Sequence, residues 1–198
     1  MNFSSTTSGW GPATKLVPEI MRADSRESLI LYLDDDIIYP RSTIKRLVAA
    51  MDKRPNLDLV FNWGQIVPNW DHQRGMIPSF SNWKTTDRSA RPLGLVVPLG
   101  VAGVLVKRTS VPRDILNFDH FKRISHSNDD LWFWCHFIQL GLSLELRSTK
   151  FSPPLYWKNS QENALWKFNI VNGENDRILS RLIDEYPKFR RILMRESS

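Results

Sequence analysis

The residues of this chain best suited to chemistry are five carboxylates in two groups: Asp34, Asp35 and Asp36 within LILYLDDDIIYP, and Asp129 and Asp130 within SNDDLWFW. Three adjacent carboxylates repel one another at pH 7, so a fold that holds them together calls for a cation or a cluster of basic groups. On an extended backbone, alternation turns Asp34 and Asp36 to one side and Asp35 to the other, the arrangement of a D-x-D site. Ligands that are all oxygen suit Mg²⁺ or Mn²⁺ far better than Zn²⁺. A bare acidic triplet is ordinarily a solvated turn. The LILYL run ahead of it argues instead for the end of a buried strand, and open α/β sheets bind ligands at the carboxyl ends of their strands.

The second pair stands at the head of DDLWFWCHFIQL, an apolar run that reads as a buried helix over 129–140 closed by Gly141. A carboxylate there is favoured by the helix dipole. Either Asn128 or Asp129 serves as N-cap, which accounts for one acid at most. The other, in a cleft beside a metal, is placed to take a proton from an attacking hydroxyl. Among the histidines, His136 falls inside the apolar run and reads as a packed core residue, and His126 is the one near an acid.

The elements that must position these groups follow from periodicity. Residues 12–21 space Leu16, Val17, Ile20 and Met21 as a short helix that Pro18 disturbs. The acidic strand is followed by a helix from Ser42 with Ile44, Leu47, Val48 and Met51 on one face, stopped before Pro55. Residues 57–63 read as a strand, and the Pro-, Asn-, Ser- and Trp-rich stretch to Arg91 as a long loop or ragged hairpin. LGLVVPLGVAGVLVKR supplies strand residues around Gly100 and Gly103, where backbone is expected to approach something closely. Residues 142–147 alternate as a strand. The tail, 155–198, is expected to be helical on the spacing of Ile178, Leu179, Leu182 and Ile183, and residues 1–10 to be an irregular lead-in.

Composition narrows the class. One α/β domain is expected over the 198 residues, whose 41% hydrophobic and 24% charged content is that of a globular chain. The net charge of +6 favours anionic partners, but no basic stripe interleaves with aromatics, so no nucleic-acid partner is expected. Eight Trp fit either a large core or rings laid against sugars. The single cysteine, Cys135, excludes an internal disulfide and points to a reducing, cytoplasmic setting. Neither a signal peptide nor an apolar run of ~20 residues is present, so the chain is expected to be soluble as given, with peripheral membrane association compatible with its charge.

LILYLDDDIIYP, GVAGVLVKR and NDDLWFW, in this order, resemble the D-x-D strand, the glycine-containing acceptor-side strand and the acidic acceptor helix of GT-A glycosyltransferases, and GPATKL resembles the segment before the D-x-D strand in family-2-like members. The resemblance covers roughly residues 9–147. It implies a GT-A-like, Rossmann-related mixed sheet flanked by helices and a hexosyltransferase-like enzyme. Asp36 and Asp34 are implied as metal ligands for Mn²⁺ or Mg²⁺, Asp34, Asp35 and Lys15 as contacts of a UDP- or GDP-sugar, and Asp130 as base with Asp129 beside it. The acceptor is implied to be a glycan or a lipid-linked hydroxyl. A nucleotide-binding βαβ region is also implied ahead of Asp34, where too few residues stand, so that this half is expected from a partner chain or an upstream segment. Two other readings compete: a non-catalytic carbohydrate- or protein-binding module, and a metal-dependent phosphohydrolase.

Overall fold

A computed structural model describes residues 9–22, 28–86, 95–146, 155–162 and 164–195. The helix expected over 12–21 is split. Gly11–Lys15 forms a tight 3-10 turn and α1 spans Val17–Met21. Pro18 is the physical reason, because it has no N–H to donate to the Thr14 carbonyl in a continuous α-helix. The break leaves Lys15 at the end of the 3-10 turn.

Strand β1 (Leu29–Tyr32) buries Ile30 and Tyr32 on one face, and β2 (Ile37–Ile38) follows after the acidic triplet. The triplet is not extended: Asp35 and Asp36 form a turn, so the alternation expected for Asp34 and Asp36 does not apply. Helix α2 (Thr43–Lys53) has the expected inward face, with Leu47 and Met51 buried and Val48 half-buried. Ile44 of that face remains exposed.

Strands β3 (Leu59–Phe61), β4 (Gly64–Ile66), β5 (Lys84–Thr86), β6 (Val96–Pro98), β7 (Val104–Lys107) and β8 (Leu144–Leu146) build two sheets. The main sheet has the order β1-β7-β3-β8, with β7 antiparallel to both neighbours and β3 parallel to β8. Its register lines Leu31, Leu105 and Val60 across one face, where α2 packs. Tyr32, Val104 and Phe61 line the other, where Phe133 meets Tyr32 at 5.6 Å between ring centroids. The molecule is therefore an α/β fold, a mixed sheet flanked by helices.

The second sheet is ordered β5-β4-β6 and antiparallel throughout; within the stretch expected to be a loop or ragged hairpin, β4 and β5 pair as a hairpin with a long connection. The connection between β4 and β5 is packed, because Trp70, Ile77, Phe80 and Trp83 turn inward. Part of that stretch, 87–94, lies outside the described residues, as do 1–8 of the lead-in and the last position of the strand expected over 142–147.

Helix α3 (Phe118–Ile124) leads into α4 (Asp129–Gln139), which is buried on nearly all sides as its composition requires. Each of its large side chains, such as Trp132 and Phe133, contributes up to ~1.5–3 kcal/mol by leaving water. Strand β9 (Leu155–Tyr156) pairs with β2, and α5 (Leu165–Val171), α6 (Glu174–Glu185) and α7 (Pro187–Arg195) close the chain. Ile178, Leu179 and Leu182 are buried as expected, and Phe189 packs on Trp134 at 5.1 Å. Five of the eight tryptophans are core residues (Trp10, Trp70, Trp83, Trp132, Trp134), whereas Trp157 and Trp166 are exposed. Cys135 is buried. No helix among the described residues is long and apolar enough to cross a membrane.

Candidate functional site

A cleft of about 1350 Å³ runs along β1 and its acidic turn, between the 3-10 turn and α2, and reaches the start of α4 and α5. Lys15 lines it. Nζ of Lys15 lies 2.7 Å from Oδ1 of Asp34, 3.0 Å from Oδ2 of Asp129 and 3.7 Å from Oδ1 of Asp130. One ammonium thus joins the end of β1 to the head of α4. Lys15 and Asp129 are nearly buried, while the side chains of Asp130 and Asp34 keep 20% and 30% of their surface open.

The local sequence explains how both α4 acids become available. Asn128 takes the N-cap, its side chain accepting from the N–H of Leu131 at 2.9 Å, and its amide donates to Asn175 of α6 at 2.9 Å. Neither aspartate is needed as the cap, so both side chains are released into the cleft. The Gly100 N–H donates to Oδ1 of Asp130 at 3.1 Å. A Cβ at Gly100 would collide with the end of Lys15 and come within 3.2 Å of that same oxygen, so the residue is glycine for space. Gly103 is a second close approach: its φ is +90°, and a Cβ would stand 2.9 Å from Leu33.

Burial and charge oppose each other in this cluster. Burial raises the Asp129 carboxyl to about 7, with Asp130 and Asp34 adding to the rise and Lys15 restraining it. Asp130 is raised in the same way, by burial first, against the pull of Lys15. For Lys15, burial alone would favour the neutral amine, but the charges of Asp129, Asp130 and Asp34 outweigh it and hold its pKa well above the ordinary value. Tyr32, whose ring centroid is 5.9 Å from Nζ of Lys15, is raised by burial and then by Asp130.

Fully ionised, three carboxylates and one ammonium leave a charge of −2, which a divalent cation would balance. Oδ2 of Asp129 is close to the ammonium but misaligned for a hydrogen bond, so it is a buried carboxylate oxygen with no donor. Among the described residues no group of three or more His, Cys, Asp or Glu is arranged to hold a metal ion. Mg²⁺-type sites use one or two carboxylates and complete their shell with substrate phosphates and water. Asp34 and Asp36 are oxygen donors of the kind such a site uses, but Asp34 is held by Lys15 and Asp36 by Gln161.

Asp36 lies in the turn but is tied elsewhere: Nε2 of Gln161 donates to its Oδ2 at 2.7 Å, and Oε1 of Gln161 accepts from the Trp166 indole at 2.7 Å. The Trp157 N–H donates to its carbonyl. Asp35 is exposed and lines the cleft. Tyr39 accepts from the Asp34 N–H at 3.0 Å, which fixes the turn. His126 is exposed and its carbonyl faces Gly11. His136 is a core residue, with Nδ1 2.8 Å from the Trp132 carbonyl and a pKa lowered by burial. Of the residues that sequence reasoning singled out, Lys15, Asp34, Asp129 and Asp130 come together. Tyr39, Gln161 and Trp166 were not singled out, and only the exposed-aromatic potential of the tryptophans could have pointed to one of them. No protein-family model matches the chain, and no curated protein matches it.

Proposed function

We propose that this chain carries the acidic centre of a metal-dependent GT-A type glycosyltransferase, which moves a sugar from a UDP- or GDP-sugar to a hydroxyl of a glycan or lipid-linked acceptor. The observation that carries the reading is the Lys15 cluster, in which Asp34 from the end of the first strand meets Asp129 and Asp130 from the head of the buried helix. Donor-side and acceptor-side acids then hold a fixed spacing across one cleft.

In this reading Asp36 and Asp34 would hold Mn²⁺ or Mg²⁺, which supplies Lewis-acid stabilisation of the diphosphate leaving group. Asp130 is the base, since its carboxylate is the more open of the α4 pair. As the acceptor oxygen bonds to the anomeric carbon and the bond from that carbon to the diphosphate oxygen breaks, the hydroxyl proton passes to Asp130. The Gly100 N–H orients that carboxylate. Lys15 acts as a positioning residue, because its ammonium meets Asp34, Asp129 and Asp130, and Asp129 helps to hold it in place. The raised pKa of Asp130 brings a carboxylate closer to the operating pH, where a base is most effective.

The test is release of nucleotide from UDP- and GDP-sugars with Mn²⁺ in the presence of hydroxyl acceptors. Asp130→Asn should lower turnover by about 10²–10⁴-fold with the fold intact; equal turnover in the variant would remove Asp130 from the mechanism. A non-catalytic glycan-binding module is the second reading, favoured by Trp166, whose exposed ring lines the same cleft. It predicts glycan binding without nucleotide release.

A further inference from the structure

Five buried side-chain atoms among the described residues have no hydrogen-bond partner, and three of them, Oγ of Ser127, Oδ2 of Asp129 and Oδ1 of Asn169, belong to residues that line the cleft. A buried polar atom without a partner is destabilising, so three gathered at one place call for a ligand that completes them. The chain itself gathers them. Ser127 stands just before the head of α4, where Asp129 lies, and the Asn169 amide reaches over from α5 to donate to the Ser127 carbonyl at 2.7 Å. Ser127 and Asn169 are 5% and 4% exposed. Asn169 is also the buried residue of α5, while its apolar neighbours Phe168 and Ile170 are exposed. That is the reverse of an ordinary surface helix, which turns its apolar stripe to the core.

The cleft wall beside them is aromatic. Trp166 lies one turn before Asn169 on α5, lines the cleft and is 49% exposed. Its ring is held at the edge, where Nε1 donates to Oε1 of Gln161 at 2.7 Å, and over one face, where Nζ of Lys167 lies 5.8 Å from the centroid. A fixed ring beside a few placed polar atoms is the make-up of a small-molecule seat. Hydrogen-bonding capacity and charge then select the ligand. Oδ1 of Asn169 and an ionised Asp129 accept and cannot donate, and Ser127 does either, so the ligand must bring donors. The three carboxylates around Lys15 exceed its charge, so a phosphate or carboxylate would meet repulsion here. Uncharged hydroxyls on a ring with an apolar face satisfy both demands.

We infer that this corner seats a saccharide ring, with Trp166 against an apolar face of the sugar and Ser127 and Asn169 taking its hydroxyls. The seat itself rests on the residues of the corner; the role of the sugar rests on the glycosyl-transfer reading. Because the seat adjoins Asp130 at the head of α4, the ring it holds is that of the acceptor, which is then a glycan and not a bare lipid hydroxyl. Ser127, Asn169 and Trp166 thereby determine which sugar is accepted.

The test is saturation-transfer NMR of the full chain with the methyl glycosides of glucose, galactose, mannose and N-acetylglucosamine, without nucleotide or metal. At least one hexoside should give a saturable signal. Trp166→Ala should weaken its binding by about tenfold, whereas Trp166→Phe, which keeps a ring, should retain it. Ser127→Ala should weaken it by about threefold to tenfold, the effect of one hydrogen bond. Because the Ser127 hydroxyl has no partner in the free chain, the same variant should leave the thermal melt unchanged or raise it, where a hydroxyl kept for structure would lower it. No saturable signal from any of the hexosides overturns the inference, and so does a signal that Trp166→Ala and Ser127→Ala leave intact. Equally tight binding of cyclohexylamine, a cationic ring without hydroxyls, also overturns it, since charge alone would then fill the corner. Hexoside binding without nucleotide release from UDP- or GDP-sugars keeps the seat and removes the transferase reading. Nucleotide release that both variants leave unchanged at limiting acceptor keeps that reading and removes the seat.

Discussion

Replacing Lys15 by Met removes one ammonium from three carboxylates while keeping the unbranched apolar stem of the side chain. Breaking a buried ion pair by deleting one partner costs about 3–5 kcal/mol, because the remaining charge is left uncompensated. Here the groups are partly open to water, so the figure at pH 8 should be about 2–3 kcal/mol. The sign of the pH dependence follows from linkage. The Lys15 contribution is fully present below its unfolded pKa and is lost only as pH rises through the still higher folded value, so it is constant from pH 5 to 8. The acids behave differently: without Lys15 they bind protons still more readily, and each proton relieves the repulsion. The loss in the variant should therefore shrink to about 1 kcal/mol at pH 5. Urea unfolding followed by tryptophan fluorescence measures both values, and at pH 8 the melting temperature should fall by ~4–12 °C. A loss that is equal at the two pH values, or negligible at pH 8, would refute the claim that Lys15 neutralises this cluster.

Gly100→Ala places a Cβ against the end of Lys15 and near Oδ1 of Asp130. Gly100 is outside the left-handed region, so the cost is one of space, about 1–2 kcal/mol in the urea midpoint, with Lys15 displaced from Asp130; an unchanged midpoint would show that the contact is slack. Asp129→Asn tests the raised carboxyl. With a folded pKa of about 7 against an unfolded value of ~3.9, the folded state holds the extra proton between them, so parent stability falls as pH rises through that window. The variant should lose this slope in unfolding titrations from pH 4 to 8, and an identical slope would assign the proton elsewhere.

Much of the fold was readable because local patterns agree with their tertiary roles. The 3.6-residue spacing in α2 and the all-round apolar α4 have the faces their periodicity requires, and Gly100 and Gly103 mark the close approaches expected of them. The antiparallel β5-β4-β6 sheet was not readable as such, since its strands are three residues each, too short for alternation to register. The short helix α3, seven residues capped by Asn117, was missed for a similar reason. At the site, the two acid groups could be found from composition and context. Lys15 could not be placed, because a solvated helix lysine and a phosphate contact were both consistent with GPATKL, and its real partners stand 19 residues away and beyond. The tie from Gln161 to Asp36 spans 125 residues and leaves no local trace.

The central claim, that the acidic cleft receives a metal-bound nucleotide, is tested most directly by calorimetric titration of the folded chain with UDP and GDP in the presence of Mn²⁺. The account predicts saturable heat with at least one of the two, dependent on the metal and abolished by Asp34→Asn combined with Asp36→Asn. A demonstrably folded chain that gives no heat with either nucleotide would contradict it.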